Sequence, residues 1–171
     1  MTLLSSLFSR KDDRAAQRPL YAAVVARARA PHWYLEGAVA DSIDGRFDMV
    51  ASILSLVLMR MDALDMKGQA ALLTELFIDD MEGQVRQIGF GDLIVGKQVG
   101  RMVGALGGRL AAYRAGLSGA ASLREALVRN LYRGQAPAEA ALARVEDRIR
   151  GFARGLDGLS ADALLAGRLP D

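Results

Sequence analysis

Several residue types with well-known chemistry are absent from this chain of 171 residues or rare in it. The chain contains no cysteine, which excludes disulfide bonds and thiolate chemistry and suits a reducing compartment. It contains one histidine, His32, so a metal site built from several histidines of one chain is excluded. His32 lies between Pro31 and Trp33 without a nucleophile motif around it. We therefore expect a structural histidine beside the core.

Long hydrophobic runs are also missing. The longest apolar stretch, residues 49–59, has eleven residues, well short of the roughly 20 that span a bilayer. The first residues lack the basic start and long apolar run of a signal peptide. They also lack the composition of an Arg-rich transit peptide, because Asp12 and Asp13 come early. These absences predict a soluble or peripheral protein.

Motifs that bind phosphates or carry out catalysis are absent too. The glycines at 89–108 match neither the Walker pattern nor Gly-x-Gly-x-x-Gly, and no predicted strand precedes them. The segment TELFIDDMEG places Glu75, Asp79 and Glu82 at helical spacing, and paired carboxylates can hold a metal ion or act as acid and base. Because a di-metal helix bundle also needs Glu-x-x-His motifs, we favour a solvated acidic face over a metal site. We expect no enzyme activity, no metal and no cofactor.

The residues that are present suffice for one well-filled core. Hydrophobic residues make up 51% of the chain and charged residues 25%. Charge is uneven, since residues 36–82 carry three basic and ten acidic residues, whereas residues 83–155 carry twelve basic and five acidic ones. The arginines of the second segment leave RNA or ribosome contact open as an alternative. They have little aromatic interleaving, so we favour a solvated basic surface and expect no specific DNA binding.

The apolar residues recur at helical spacing, and no stretch alternates as a strand does. With prolines and glycines as breaks, the spacing predicts helices at 19–29, 44–63, 67–88, 92–115, 120–133 and 137–155, and short helical turns at 32–37 and 160–166. The predicted fold is all-α, a compact irregular bundle of about six helices. We divide the chain into an N-terminal arm at 1–18, a helical domain at 19–133 and an appended segment at 134–171, packed on the same domain.

The N-terminal arm has a pattern of its own. Four apolar residues share one helical face and two basic residues follow them: Leu3, Leu4, Leu7, Phe8, Arg10 and Lys11. This is the outline of a membrane-surface anchor. A frayed terminus and a clasp on the same chain are equal alternatives. The pattern motivates a second functional hypothesis, a general membrane-surface scaffold or protein-interaction module.

Glycine recurs every fourth residue in the predicted helix at 92–115. The four positions are Gly96, Gly100, Gly104 and Gly108. Each glycine in a helix interior costs roughly 1 kcal/mol relative to alanine, so the repetition needs a reason. Residues four apart lie nearly above one another, so the glycines form a shallow groove of bare backbone. Such a groove lets another helix approach closely.

The neighbours of this glycine stripe indicate how it would bind. Val99 and Val103 form a ridge next to it, and Lys97 and Arg101 exclude the helix from lipid. We favour a helix of the same domain in the groove, for example residues 44–63. The alternative is a helix of a client or partner polypeptide. In both cases close backbone contact would offset the cost of the glycines.

Three segments resemble the ubiquinol–cytochrome c chaperone family. They read LYAAVVARARAPHWY, VADSIDGRFDMV and FIDDMEGQVRQIGFGDLIVGKQVGRMVGALGGRLAAY. The match covers about residues 20–115. Its most specific pieces are Asp-x-x-Asp-Gly-Arg-Phe at 41–47 and Gly-x-Gly-Asp-x-x-Val-Gly-Lys at 89–97. The order and spacing of the pieces carry the resemblance.

The resemblance implies a non-catalytic α-helical protein that assists biogenesis of the cytochrome bc1 complex and receives newly made cytochrome b. In mitochondrial relatives such a protein acts with a small partner protein, near the ribosomal exit and the inner membrane. The targeting extension of those relatives is missing here, so the resemblance implies a bacterial rather than an imported mitochondrial form, cytoplasmic and peripheral at the inner membrane. The residues carried over, for structure or for function, are Asp41, Asp44, Gly45, Arg46, Phe47, Asp80, Gly89, Gly91, Asp92, Arg109 and Tyr113. We expect Asp41, Asp44 and Arg46 to cap or tie the helix at 44–63, and we expect Asp92, at an N-cap position, and Lys97 to fix the start of the helix at 92–115. A pair between Arg46 and an acidic residue near 79–82 would be a typical scaffold contact. Contact of these residues with the client is the alternative.

Overall fold

The computed structural model describes residues 13–87 and 92–171 of the chain. Within these residues the backbone forms helices joined by short turns, and no strand occurs. Six of these helices have at least eight residues and two have five, which confirms the predicted all-α bundle. They are α1 Arg18–Ala28, α2 Pro31–Leu35, α3 Ile43–Ala63, α4 Lys67–Gln87, α5 Asp92–Ser118, α6 Leu123–Asn130, α7 Glu139–Asp157 and α8 Ala161–Leu165. No helix in this part of the chain combines the length and apolar character needed to cross a bilayer.

Helix α3 is the central helix of the bundle. Every residue from Phe47 to Leu58 is buried, because α1, α4, α5 and α7 all pack against this helix. Full burial of one large apolar side chain stabilises a fold by about 1.5–3 kcal/mol, so this run contributes much of the hydrophobic stabilisation. At the start of α3 the Ser42 hydroxyl accepts a hydrogen bond from the Gly45 amide at 3.1 Å and forms the N-cap.

Pro31 separates the first two helices as its position predicts. Helix α1 ends at Ala28 and α2 begins at Pro31, since the residue before a proline is disfavoured in the helical conformation. The second helix brings Trp33 into the core, where its indole Nε1 donates to the Arg27 carbonyl at 2.9 Å. The hydroxyl of Tyr34 donates to the Ala28 carbonyl at 2.9 Å, and its ring packs against the core. The second helix therefore directs both Trp33 and Tyr34 to the core.

Helix α5 is longer and α6 is shorter than predicted. Helix α5 continues through Gly116, where a Cβ atom would lie 2.7 Å from the Cα of Leu123. This glycine therefore allows α5 and the start of α6 to approach closely, rather than forming a turn. Gly119 has a φ of +81° and ends the helix. After α6 the chain turns at Arg133 and Gly134, which have φ values of +52° and +84°.

Helices α7 and α8 pack on the same core as the helices before them. The inward face of α7 carries Val145, Ile149, Phe152 and Leu156, each at most 1% exposed. This face packs against α3 and α6. Residues 139–165 therefore contribute to one continuous core with the earlier helices. The division of the chain into an arm, a domain and an appended segment stays a prediction.

Candidate functional site

A cleft of about 660 Å³ opens between α3, α4, α5 and the end of α6. Its apolar lining comes mainly from the buried Phe47 of α3 and Met81 of α4, with the half-buried Met102 and Ala105 of α5 beside them. Its polar lining includes four arginines and two aspartates. The remaining lining residues are Ile43, Asp44, Asp48, Gln84, Gln98, Arg101, Arg109, Arg129, Asn130, Arg133 and Gly134.

A buried carboxylate forms the base of the cleft. Asp48 is 1% exposed although it lies within the apolar run of α3. One of its oxygens accepts a hydrogen bond from Nη2 of Arg109, and the other accepts one from Nε of Arg133 at 2.7 Å. Nη1 of Arg133 also donates to Asp44 at 2.8 Å. Helices α3 and α5 and the turn after α6 are thereby tied together at one point.

Arg109 is buried, with 6% of its surface exposed, and its guanidinium group has several contacts within the fold. Besides Asp48, its Nη2 donates to the Asn130 carbonyl at 2.7 Å. Its guanidinium carbon lies 5.4 Å from the centre of the Phe47 ring, within the range of a cation–π contact. Its Nε has no hydrogen-bond partner among the residues that the structure describes. Such a buried charged pair tolerates the loss of either partner poorly, because the charge that remains is uncompensated.

The ionisation of Asp48 depends on these arginines. Burial raises the pKa of the Asp48 carboxyl, because the charged form loses its hydration. The hydrogen bond from Arg133 and the charge of Arg109 act in the opposite direction. The two arginines therefore stabilise the charged carboxylate in a position where burial alone would favour the neutral acid.

Tyr113 lies one turn beyond Arg109 on α5 and supports the same network. It is fully buried, and its hydroxyl lies 2.9 Å from the hydroxyl of Ser52 on α3. The Ser52 hydroxyl donates to the carbonyl of Asp48 at 2.7 Å. Burial raises the pKa of Tyr113. The side chain is thus a neutral hydrogen-bonding group that links α5 to α3 beneath the cleft.

The family motif at 41–47 has mainly structural contacts at the start of α3. A Cβ atom on Gly45 would lie 1.9 Å from the carbonyl oxygen of Ala40, so only glycine fits there. Asp41 ties the helix start through Nε of Arg46 at 2.7 Å. The predicted pairing of Arg46 with an acidic residue near 79–82 is therefore wrong. The reason is proximity, because Asp41 lies just before the helix, five residues from Arg46, and both side chains are exposed.

The acidic residues of α4 bind partners within the chain. Asp79 pairs with Arg14, and Asp80 accepts a hydrogen bond from the Tyr21 hydroxyl at 2.7 Å. Gln84 also donates to Asp80, at 3.1 Å. In the part of the chain that the structure describes, no three acidic or histidine side chains come together as a metal site would require. The family-motif residue Asp80 thus joins α4 to α1.

The glycine stripe of α5 does not pack inside the domain. Gly96, Gly100, Gly104 and Gly108 are all exposed, and a Cβ atom on any of them would meet no neighbouring atom within 4 Å. Among the residues that the structure describes, no helix fills this groove, so the prediction that it receives the helix at 44–63 is wrong. Helix α5 uses another face for its packing, which carries the buried residues Val99, Leu106, Arg109 and Tyr113. Contact with a second polypeptide stays a prediction.

The residues beside the stripe differ in exposure. Val99 is 7% exposed and packs with Ile78 and Met102, whereas Val103 is 36% exposed. The two valines therefore do not form one outward ridge. Lys97 and Arg101 are exposed, as their charge predicts.

Some predicted residues fall outside the described part of the chain. These are Gly89 and Gly91 of the second motif and the apolar and basic residues of the N-terminal arm. Asp92 is the first residue of α5, and its predicted capping contact falls outside the described side chains. The predictions made on these residues stay predictions.

The sequence pattern did not single out the residues that complete the cleft. Asp48, Arg133, Met81 and Met102 belong to four separate segments, and only the fold brings them together. One signal was present, since Asp48 is the only charged residue between Phe47 and Met59. A lone carboxylate in an apolar helix requires a buried partner, and this requirement indicates a polar site.

Two comparisons with known proteins gave a match, one to a sequence family and one to a solved structure. The sequence model of the family described as Ubiquinol-cytochrome C chaperone matches residues 36–170, which include every residue of the cleft. The chain is also similar to a solved structure described as the Cbp3 homolog from Brucella abortus, with a TM-score of 0.78. Sequence identity is 28%, over 98% of this chain and 95% of that chain. No curated protein matches this chain significantly.

Proposed function

Since this chain belongs to the ubiquinol–cytochrome c chaperone family, we propose that it is an assembly chaperone of the ubiquinol–cytochrome c reductase (bc1) complex. The observation that carries the proposal is the family match over 36–170, together with the nearly full-length similarity to the Cbp3 homolog. The role is non-catalytic, because a chaperone of this kind binds and shields a client rather than transforming it.

The client that we propose is newly made cytochrome b. A membrane protein exposes apolar segments to water until it enters the bilayer, and these segments aggregate unless they are covered. The cleft supports this role because its inner surface carries Phe47, Met81 and Met102. Methionine side chains are flexible and polarisable, so they adapt to client segments of different shape.

The glycine stripe is the second client contact that we propose. Gly96, Gly100, Gly104 and Gly108 leave a strip of backbone open on the outer side of α5. A client helix on this strip would approach more closely than side chains normally permit. Lys97 and Arg101 lie next to the strip and suit charged or polar groups at the end of such a helix.

The place of action that we propose is the cytoplasm, with transient contact at the inner-membrane surface. A small partner protein and the ribosome are further proposed contacts, since mitochondrial relatives act with both. Vesicle flotation of the full chain and of a variant lacking residues 1–14 tests the membrane contact. Binding by the full chain alone would support an anchoring arm, and no binding by either form would contradict membrane contact.

Deletion of the gene in its host tests the proposed function. We expect assembled bc1 complex to be depleted, while the cytochrome b transcript stays at its normal level. The wild-type gene and a gene carrying Arg144→Gln, an exposed position on α7 away from the cleft, should both restore the complex. Normal amounts of bc1 complex in the deletion strain would contradict the proposal.

Site-specific photo-crosslinking in cells tests the identity of the client. A photoreactive amino acid at position 104 of the glycine stripe or at position 102 of the cleft should capture cytochrome b. The same amino acid at position 144 serves as the control and should not. If the deletion strain lacks bc1 complex but neither position captures cytochrome b, the assembly role stands and the client assignment is wrong.

A further inference from the structure

Two arginines at the edge of the cleft have no carboxylate partner among the described residues. Arg101 and Arg129 are exposed, and the hydrogen bond of Arg101 is to the Gln98 side chain at 3.4 Å. Some other exposed arginines of the fold are paired, for example Arg114 with Asp62 at 3.0 Å; Arg101 and Arg129 differ from the remaining unpaired ones among the described residues in lining this cleft. Arg101 and Arg129 come from α5 and α6 and line the same cleft.

The acidic residues of the cleft cannot neutralise these two arginines. Four arginines and two aspartates line the cleft. Both aspartates are engaged elsewhere, since Asp48 binds Arg109 and Arg133, and Asp44 binds Arg133. The edge therefore keeps an excess of positive charge beside an apolar interior. A guest that matches this surface combines bulky apolar groups with a carboxylate.

The apolar part of the cleft has the size and exposure of a binding surface. Its volume, about 660 Å³, lies in the range of roughly 300–1,000 Å³ found for ligand sites in proteins. Ile43 at its mouth is 61% exposed, which is unusual for a large apolar residue. Met102 is half-buried and faces the same space. Helix-binding grooves commonly use such apolar surfaces between helices.

We propose that the cleft binds an amphipathic helical segment of the client, with apolar side chains against Phe47, Met81 and Met102. An acidic side chain of the client segment, one helical turn beyond its apolar side chains, binds Arg101 and Arg129. This inference rests on the proposed chaperone function and adds the chemistry of the client segment. The cleft should prefer client segments with acidic flanks over segments with neutral or basic ones. The reason is that the aspartates of the cleft are already paired with Arg109 and Arg133 and therefore do not neutralise Arg101 and Arg129.

Two synthetic peptides test the inference with the full-length protein. The first is a fluorescein-labelled helix with three leucines on one face and a glutamate one turn beyond them. The second carries glutamine in place of the glutamate. We expect the glutamate peptide to bind about tenfold more tightly, as charge-assisted hydrogen bonds allow. Fluorescence anisotropy measures both dissociation constants.

Variants assign the difference to the two arginines. Arg101→Gln with Arg129→Gln should remove the tenfold preference and change the affinity for the glutamine peptide by less than about twofold. Met102→Lys should weaken both peptides, and Arg144→Gln, the matched control on α7, should weaken neither. Circular dichroism confirms that each variant is folded, and Arg101→Ser with Arg129→Ser replaces the double glutamine variant if that variant misfolds.

Three results would overturn the inference. These are equal affinity for the two peptides, no binding of either, and a preference that survives the double arginine variant. Competition by phosphatidylglycerol vesicles without any difference between the peptides would assign the arginines to a lipid headgroup and would also overturn it.

If the peptides do not differ while the deletion strain lacks bc1 complex, this inference fails and the assembly function stands. If the peptides differ while bc1 complex is normal, the assembly function fails and the binding chemistry stands.

Discussion

Replacement of Arg109 by methionine should destabilise the protein strongly. The variant removes one of two cationic partners from Asp48, a carboxylate that is 1% exposed. Loss of one partner from a buried ion pair costs about 3–5 kcal/mol, because an uncompensated charge remains in the interior. Arg133 still binds Asp48 at 2.7 Å, so we expect the lower end of the range, about 3 kcal/mol. For a chain of this length that lowers Tm by about 6–12 °C.

Thermal and urea unfolding followed by circular dichroism measure this loss. The matched control is Arg46→Gln, which breaks the exposed pair with Asp41 and should leave the free energy of unfolding nearly unchanged. Asp48→Leu combined with Arg109→Met should cost much less than the sum of the two single changes, since no unpaired charge between them remains. Equal losses for Arg109→Met and Arg46→Gln, or strict additivity in the double variant, would refute the reasoning.

The remaining predictions concern two glycines and one tyrosine. Gly45→Ala should destabilise the fold by about 2–3 kcal/mol, because the new methyl group would collide with the Ala40 carbonyl; a change below about 0.5 kcal/mol in urea unfolding would contradict that fit. Gly104→Ala should instead stabilise the isolated protein by about 0.5–1 kcal/mol, since the position is an open helix interior. If the glycine stripe binds the client, the same variant should assemble less bc1 complex; a more stable and fully active variant would contradict the proposed contact. Tyr113→Phe should cost about 1 kcal/mol through loss of the hydrogen bond with Ser52, and an unchanged midpoint of unfolding would show that this bond contributes nothing.

Helix positions followed from local features of the sequence. Pro31 marks the start of α2, and the apolar spacing of residues 44–63 matches α3 within one residue. These features act over a few neighbouring residues, so they are visible in the chain itself. The ends of α5 and α6 were predicted less well. At Gly116 the same residue type that often ends a helix serves instead for close contact with Leu123, a residue of the next helix.

The role of the glycine stripe shows the limit of a periodic pattern. Helical geometry predicts that Gly96, Gly100, Gly104 and Gly108 share one side of α5. Whether that side faces the core depends on the other faces of the helix. Here Leu106, Arg109 and Tyr113 bind the core, so the glycines point outwards. The cost of the glycines is therefore not offset within the described fold.

Sequence alone determined that the chain is helical, where most helices lie, and which family it resembles, because these properties depend on neighbouring residues and on their order. Only the tertiary structure decided which distant residues meet. It placed Asp48 between Arg109 and Arg133, turned the glycine stripe to the surface and left Arg101 and Arg129 beside an apolar cleft. The physical reason is that burial and charge pairing depend on the distance in space between helices, and the local spacing of residues does not specify that distance.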